Sequence, residues 1–123
     1  MSDINFVLLA VASPEKSAAF YARLLGREAV DASPTFALFA LSSGLKLGLW
    51  ARQTMEPTVS AAAGASELAL AVEDKAAVLA MHEAWRSQGL VIAQAPVAMD
   101  FGFTFTALDP DGHRLRVFAA GVA

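Results

Sequence analysis

The 123-residue sequence predicts an α+β fold built from two tandem βαβββ modules. Three observations lead there. Hydrophobic periodicity and turn residues give the order strand, helix, three strands, and then give it again. Two stretches of the first half also match stretches of the second in equivalent elements. Phe6-Val7-Leu8-Leu9-Ala10-Val11 lies on Glu67-Leu68-Ala69-Leu70-Ala71-Val72 with three identities, and Gly44-Leu45-Lys46-Leu47-Gly48-Leu49-Trp50 lies on Gly112-His113-Arg114-Leu115-Arg116-Val117-Phe118. Composition is the third: 56% of the residues are apolar and 17% charged, so the chain is richer in core-forming residues than an average soluble protein. Each half is too small to stand alone, and the two share one fold.

The first strand is the apolar, partly β-branched run from Phe6 to Val11. Ser13, Pro14 and Glu15 then open a helix. The serine can cap, the proline ring pre-sets the helical φ, and the acid sits in the first turn where the helix dipole favours it. Ala18, Phe20, Tyr21, Leu24 and Leu25 recur at helical spacing, and Gly26 ends the helix. Strands follow at 28–31, 35–41 and 45–50, the last two joined by Ser42-Ser43-Gly44. Residues 53–66, which include Pro57 and the run Ala61-Ala62-Ala63-Gly64, read as a linker inside a single domain over 1–123, with module 1 at about 4–52 and module 2 at about 67–119. In the second module a strand covers 67–72, Asp74 caps a helix reaching about Gln88, and Gly89 closes it. Strands at 90–97, 101–108 and 114–119 complete the chain, the last two linked by Asp109-Pro110-Asp111-Gly112.

Several function classes drop out early. With no cysteine there is no disulfide framework, thiolate metal site or cysteine nucleophile, and a reducing cytoplasm is the expected compartment. A net charge of −3 with scattered Lys and Arg argues against a nucleic-acid partner. The longest apolar run, Phe6 to Ala12, falls well short of the roughly 20 residues that span a bilayer, and no basic region precedes it as in a signal peptide. No Ser-His-Asp spacing and no Gly-rich phosphate loop is present.

Alternate side chains of a strand leave opposite faces of its sheet. Val7, Leu9, Val11, Leu45, Leu47, Leu49, Leu68, Leu70, Val72, Leu115 and Val117 form an apolar face for the helices to cover, and Phe36, Leu38 and Ala40 are expected to join it. The other parity carries Phe6, Leu8, Lys46, Gly48, Trp50, Glu67, Ala69, Arg114, Arg116 and Phe118. That mixture of rings, charges and a missing side chain suits the wall of a ligand cavity.

The segment Val11-Ala12-Ser13-Pro14-Glu15-Lys16-Ser17-Ala18-Ala19-Phe20-Tyr21 with Leu24-Leu25-Gly26, and Leu108-Asp109-Pro110-Asp111-Gly112-His113 before the last strand, give the sequence a family likeness. It resembles the vicinal oxygen chelate superfamily of glyoxalases, extradiol dioxygenases and bleomycin-resistance-type binding proteins. The resemblance implies the glyoxalase/bleomycin resistance/dioxygenase fold with cupped mixed sheets, and a domain-swapped homodimer in which modules of both subunits build each cavity. The metalloenzymes of the family hold a divalent ion with four His, Glu or Gln side chains near the middle of the first, fourth, fifth and eighth strands, positions that fall here on Phe6, Gly48, Glu67 and Arg116. Of these Glu67 alone can ligate, because phenylalanine and glycine offer no donor and a guanidinium repels a cation. Neither histidine, His82 in the second helix or His113 after the turn, matches a ligand position.

The expectation is therefore no metal, no cofactor and no catalytic residue, with a metal-dependent glyoxalase-like lyase or isomerase, or a dioxygenase, as the alternative. What the resemblance leaves is the metal-free branch, whose members sequester aromatic antibiotics. The expected partners are a second copy of the chain and a planar aromatic small molecule such as a phenazine or a bleomycin-like compound, with no nucleic acid and no membrane. Trp50 would stack on it, with Phe6, Phe39, Phe103 and Phe105 as walls and Met99 as adaptable packing near the rim. Arg116 would offer a fixed charge to a carboxylate or phenolate, and Glu67 would pair with Arg116 where relatives place a metal. The alternation Phe101-Phe103-Phe105 is equally that of a half-buried core strand, and a bulge would swap its face.

Overall fold

A computed structural model describes residues 2–121. The elements are β1 (Phe6–Val11), α1 (Pro14–Leu25), β2 (Asp31–Ala32), β3 (Phe36–Ala40), β4 (Lys46–Ala51), β5 (Glu67–Ala71), α2 (Lys75–Ser87), β6 (Val91–Met99), β7 (Gly102–Leu108) and β8 (Arg114–Ala120). The chain divides between Ala61 and Ala62 into two compact units. Each unit is a four-stranded sheet with one helix, ordered β1-β4-β3-β2 in the first and β5-β8-β7-β6 in the second. In both, the leading strand runs parallel to the module's last strand and the other pairings are antiparallel. The repeat seen in the sequence is thus a repeat of topology: tandem βαβββ units with mixed sheets.

The helices begin where cap chemistry says they should. Ser13 Oγ accepts the Lys16 N–H at 3.2 Å, and Asp74 Oδ1 accepts the Ala77 N–H at 2.9 Å, so each satisfies one of the amides a helix leaves unpaired. Gly26 (φ 64) adopts the left-handed cap after α1, whereas α2 ends through Gln88 in the right-handed region, with Gly89 (φ 90) making the turn. Tyr21 seals the first core, with Leu9, Val11, Leu47 and Leu49, and Val78 and Trp85 seal the second, with Leu115 and Val117. Leu68, Leu70 and Val72 are only half-buried. The cause is geometric, since α2 packs on β6, β7 and β8 and leaves the edge strand β5 less covered.

Three expectations change. The register of β3 pairs Phe39 with Leu47 and Ala37 with Leu49, so Phe39 and Ala37 are core at 0% and 1% exposure, while Phe36, Leu38 and Ala40 lie opposite Trp50, Gly48 and Lys46 on the uncovered face. Phe39 is therefore not a cavity wall. In β7, Phe103 pairs with Ala119 and Phe105 with Val117, placing both rings under α2. The Phe105 ring meets Trp85 at 5.4 Å and His82 at 5.2 Å, so Phe105 and Phe103 are core residues too. Finally, β2 is a two-residue strand at Asp31–Ala32 rather than at 28–31. Ahead of it Arg27 donates to Ala40 O (2.7 Å) and Ser42 Oγ (2.8 Å), a side-chain tie where a longer strand would have put a backbone ladder.

The edge strand β6 extends to Met99 and carries Pro96. Its register with β7 shifts twice, between Ile92 and Gln94 and between Gln94 and Val97. These shifts are bulges, and they put Gln94, Val97 and Met99 opposite Thr106, Thr104 and Gly102 on the face away from α2.

Candidate functional site

Each sheet has one face under its helix and one free of it, and the expected site residues sort accordingly. On the uncovered face of the first unit stand Phe6, Leu8, Lys46, Gly48, Trp50 and Phe36. The Trp50 and Phe36 rings are edge-on, 6.2 Å between centroids at 84°. Lys46 Nζ lies 5.5 Å from the centre of the Phe6 ring. Phe6 and Leu8 are 48% and 44% exposed, a contiguous apolar patch of the kind that marks a binding surface. A Cβ on Gly48 would sit 2.6 Å from Leu8 Cδ2 and 2.9 Å from Phe36 Cζ, so the glycine is what lets these two side chains close over the strand.

A separate cleft of about 240 Å³ in this unit is lined by Pro14, Glu15, Ala18, Ala32, Ser33, Pro34 and Ala37, beside the start of α1. It offers no aromatic ring and includes none of the expected site residues.

The uncovered face of the second unit is polar at its centre and aromatic at one end. Arg116 is its hub. Its Nε donates to Glu67 Oε1 at 2.7 Å and its Nη2 to Oε2 at 3.0 Å, a bidentate fork, while Nη1 donates to Gln94 Oε1 at 3.2 Å and Thr104 Oγ1 at 3.1 Å. Thr104 Oγ1 in turn donates a hydrogen bond to Val117 O at 2.8 Å. Arg114 joins the same carboxylate through Nη2 to Glu67 Oε2 at 2.6 Å. Toward Gly102 the guanidinium of Arg116 stands 5.8 Å from the Phe101 ring, which is edge-on to Phe118 at 6.1 Å. Met99, 45% exposed, lies on this face next to Gln94, whose Nε2 points at its sulfur at 3.6 Å. The structure thus joins Glu67 and Arg116 as expected and keeps Trp50, Phe6 and Met99 on uncovered faces.

Sequence reasoning missed Gln94, assigned Phe36 to the core, and placed Arg114 on the face without a role in the site. Arg114 shares the strand parity of Arg116 and was legible as a face residue, whereas Gln94 reaches the face only because β6 bulges.

A divalent ion does not fit the residues at the positions that the family resemblance would assign to one. Phe6 and Gly48 bring no donor, and Leu8 and Phe36 fill the space over Gly48. Both oxygens of Glu67 are engaged by guanidiniums, and no group of three His, Cys, Asp or Glu side chains is arranged to hold a metal among the described residues.

The hydrogen bond from Arg116 holds the Glu67 carboxyl below the usual carboxylate range, with the charges of Arg116 and Arg114 adding to the effect and partial burial opposing it. A lowered folded-state pKa means that the pair stabilises the fold fully above the ordinary glutamate range and stops doing so as pH falls through the lowered value. Glu67→Gln is therefore expected to cost about 1–2 kcal/mol near neutral pH, with the gap to the native protein closing below about pH 4. Urea unfolding of both proteins from pH 7 to pH 3 checks this, and a gap independent of pH contradicts it.

The pattern of the Glyoxalase/Bleomycin resistance protein/Dioxygenase superfamily matches residues 3–117. The chain belongs to this superfamily. The sequence is 28% identical over 116 residues to the phenazine antibiotic resistance protein EhpR of Enterobacter agglomerans, covering 92% of this chain and 88% of that one. The solution structure of protein ATC0852 from Agrobacterium tumefaciens is 48% identical and superposes with a TM-score of 0.91, covering 98% and 99% of the two chains. A lactoylglutathione lyase from Agrobacterium tumefaciens, 18% identical with a TM-score of 0.76 over 97% and 94% of the chains, shares the superfamily fold. No helix among the described residues is long and apolar enough to cross a membrane.

Proposed function

We propose that this member of the superfamily binds a planar aromatic small molecule without a metal, as a sequestering protein of the antibiotic-resistance type. The observation that carries the reading is what stands at the superfamily's metal positions: two residues without a donor, and a glutamate clasped by arginine. The uncovered faces supply what an aromatic ligand needs instead. Each presents an edge-on ring pair, Phe36 with Trp50 and Phe101 with Phe118, and the second adds a guanidinium over a ring. The relative EhpR, described as a phenazine antibiotic resistance protein, supports the same class of ligand. The chain is proposed to act in the cytoplasm as a homodimer, consistent with the exposed apolar residues of both faces.

Calorimetric titration with a panel of planar aromatic antibiotics, phenazines included, tests the reading. The native protein is expected to bind at least one, and Trp50→Ala to weaken that binding by about tenfold or more, the scale of losing a stacked indole. Equal affinity in the two proteins removes Trp50 from the site. A stoichiometric divalent ion in the purified protein, with no aromatic ligand bound, overturns the proposal.

A further inference from the structure

Arg116 was the residue that the sequence offered to a ligand's negative charge, yet the structure gives its guanidinium four protein contacts, two to Glu67 and one each to Gln94 and Thr104. An arginine has five N–H donors, so little of this one is left for a ligand. Arg114, two residues earlier on the same face of β8, is in the opposite condition. Its one polar contact among the described residues is Nη2 to Glu67 Oε2, its side chain is 42% exposed against 15% for Arg116, and its Nε is buried with no hydrogen-bond partner. The buried Nε is closed to a ligand, so the donors of Arg114 left for one are the two of Nη1 and the second of Nη2.

The charge count points the same way. The uncovered face of the second unit carries two guanidiniums and one carboxylate, Glu67, which both of them share. On the adjoining turn Asp109 accepts the backbone N–H groups of Asp111 and His113 at 2.9 Å through Oδ1, and neither Asp109 nor Asp111 forms an ion pair with Arg114 or Arg116 among the described residues. One positive charge on this face is therefore unbalanced, and it resides on the more exposed arginine.

We infer that Arg114 is the anchor for an anionic group on the ligand, a carboxylate for which the Nη1 and Nη2 donors of Arg114 form a fork, and that Arg116 instead holds Glu67 and Gln94 in place. The inference rests on the proposed aromatic binding and narrows it to aromatic anions. An Arg fork matches the planar carboxylate and discriminates against the neutral amide of the same shape, which offers one acceptor where the acid offers two.

The test is calorimetry with paired probes: naphthoate and naphthamide, and a phenazine carboxylate with its carboxamide. The native protein is expected to prefer each carboxylate by about tenfold or more, and the preference to shrink as salt rises. Arg114→Gln should bring the carboxylate down to the affinity of its amide while leaving amide binding within about twofold, and Arg114→Lys should restore part of the preference. Acid and amide bound equally well by the native protein overturns the anionic assignment while leaving the aromatic reading intact. A preference that survives in Arg114→Gln overturns the choice of Arg114, as does a variant that changes only the assembly's mass by light scattering. Failure of every probe, charged and neutral, to bind overturns the aromatic reading and this inference with it.

Discussion

Phe105→Ala is expected to lower the unfolding free energy by about 3–5 kcal/mol, whereas Phe101→Ala, four residues earlier, should cost about 1 kcal/mol or less. The two phenylalanines look interchangeable in the sequence. In the fold, Phe105 is wholly buried against Trp85 and His82, and its removal leaves a cavity under α2 that β7 and β8 cannot collapse to fill. Phe101 is 44% exposed on the other face, where its partners are Phe118 and Arg116. Denaturant unfolding of the two variants decides the point, because equal costs would mean that the strand does not present these rings to opposite sides. The ligand experiment should invert the order, with Phe101→Ala affecting aromatic binding in a protein that remains folded.

Gly102→Ala is the second large effect, and it concerns why those rings part company. Gly102 has φ 150, a conformation that side chains rarely adopt, and a Cβ there would overlap Ala119 O on β8 and approach Ala120 Cα at 2.9 Å. The contacting atoms are backbone in a paired strand, so nothing flexible can yield. The expected cost is about 3 kcal/mol or more, from strain together with loss of the Gly102–Ala120 pairing. By contrast, Gly48→Ala meets the ends of two side chains, Leu8 and Phe36, which can swing away. A melting temperature of Gly102→Ala within a degree or two of the native value would refute the steric argument.

The legible and illegible parts of this fold separate on physical grounds. Helix starts were readable because Ser13 and Asp74 act locally, each bonding an amide three residues on. The faces of β1, β4 and β8 were readable because their period of two is unbroken, and with them came the Glu67–Arg116 pair, which is one parity argument applied to two strands. The phase of β3 was not, since Phe-Ala-Leu-Phe-Ala puts a phenylalanine on either face. The turn chose, because Leu41 N–H donates to Leu45 O at 2.9 Å and thereby sets Phe39 across from Leu47. In β7 a positive φ at Gly102 separates Phe101 from Phe103 and Phe105, an event that alternation cannot report. Bulges in β6 likewise brought Gln94 to the site without any trace in the residue pattern. The missing functional information was in backbone irregularity rather than in residue type.

Those irregularities of β6 also bear on whether a neighbouring molecule can add a strand to this sheet. An outer strand with Val91, Val97 and Met99 at 63%, 40% and 45% exposure would ordinarily invite a strand from a neighbouring molecule to add on and propagate a fibril. Here Pro96 has no N–H to offer a newcomer, and two changes of register prevent any straight segment from matching more than a few residues of the strand. In a chain that is 56% apolar and carries only three net charges, that interruption is a defence against aggregation which electrostatic repulsion alone would supply weakly.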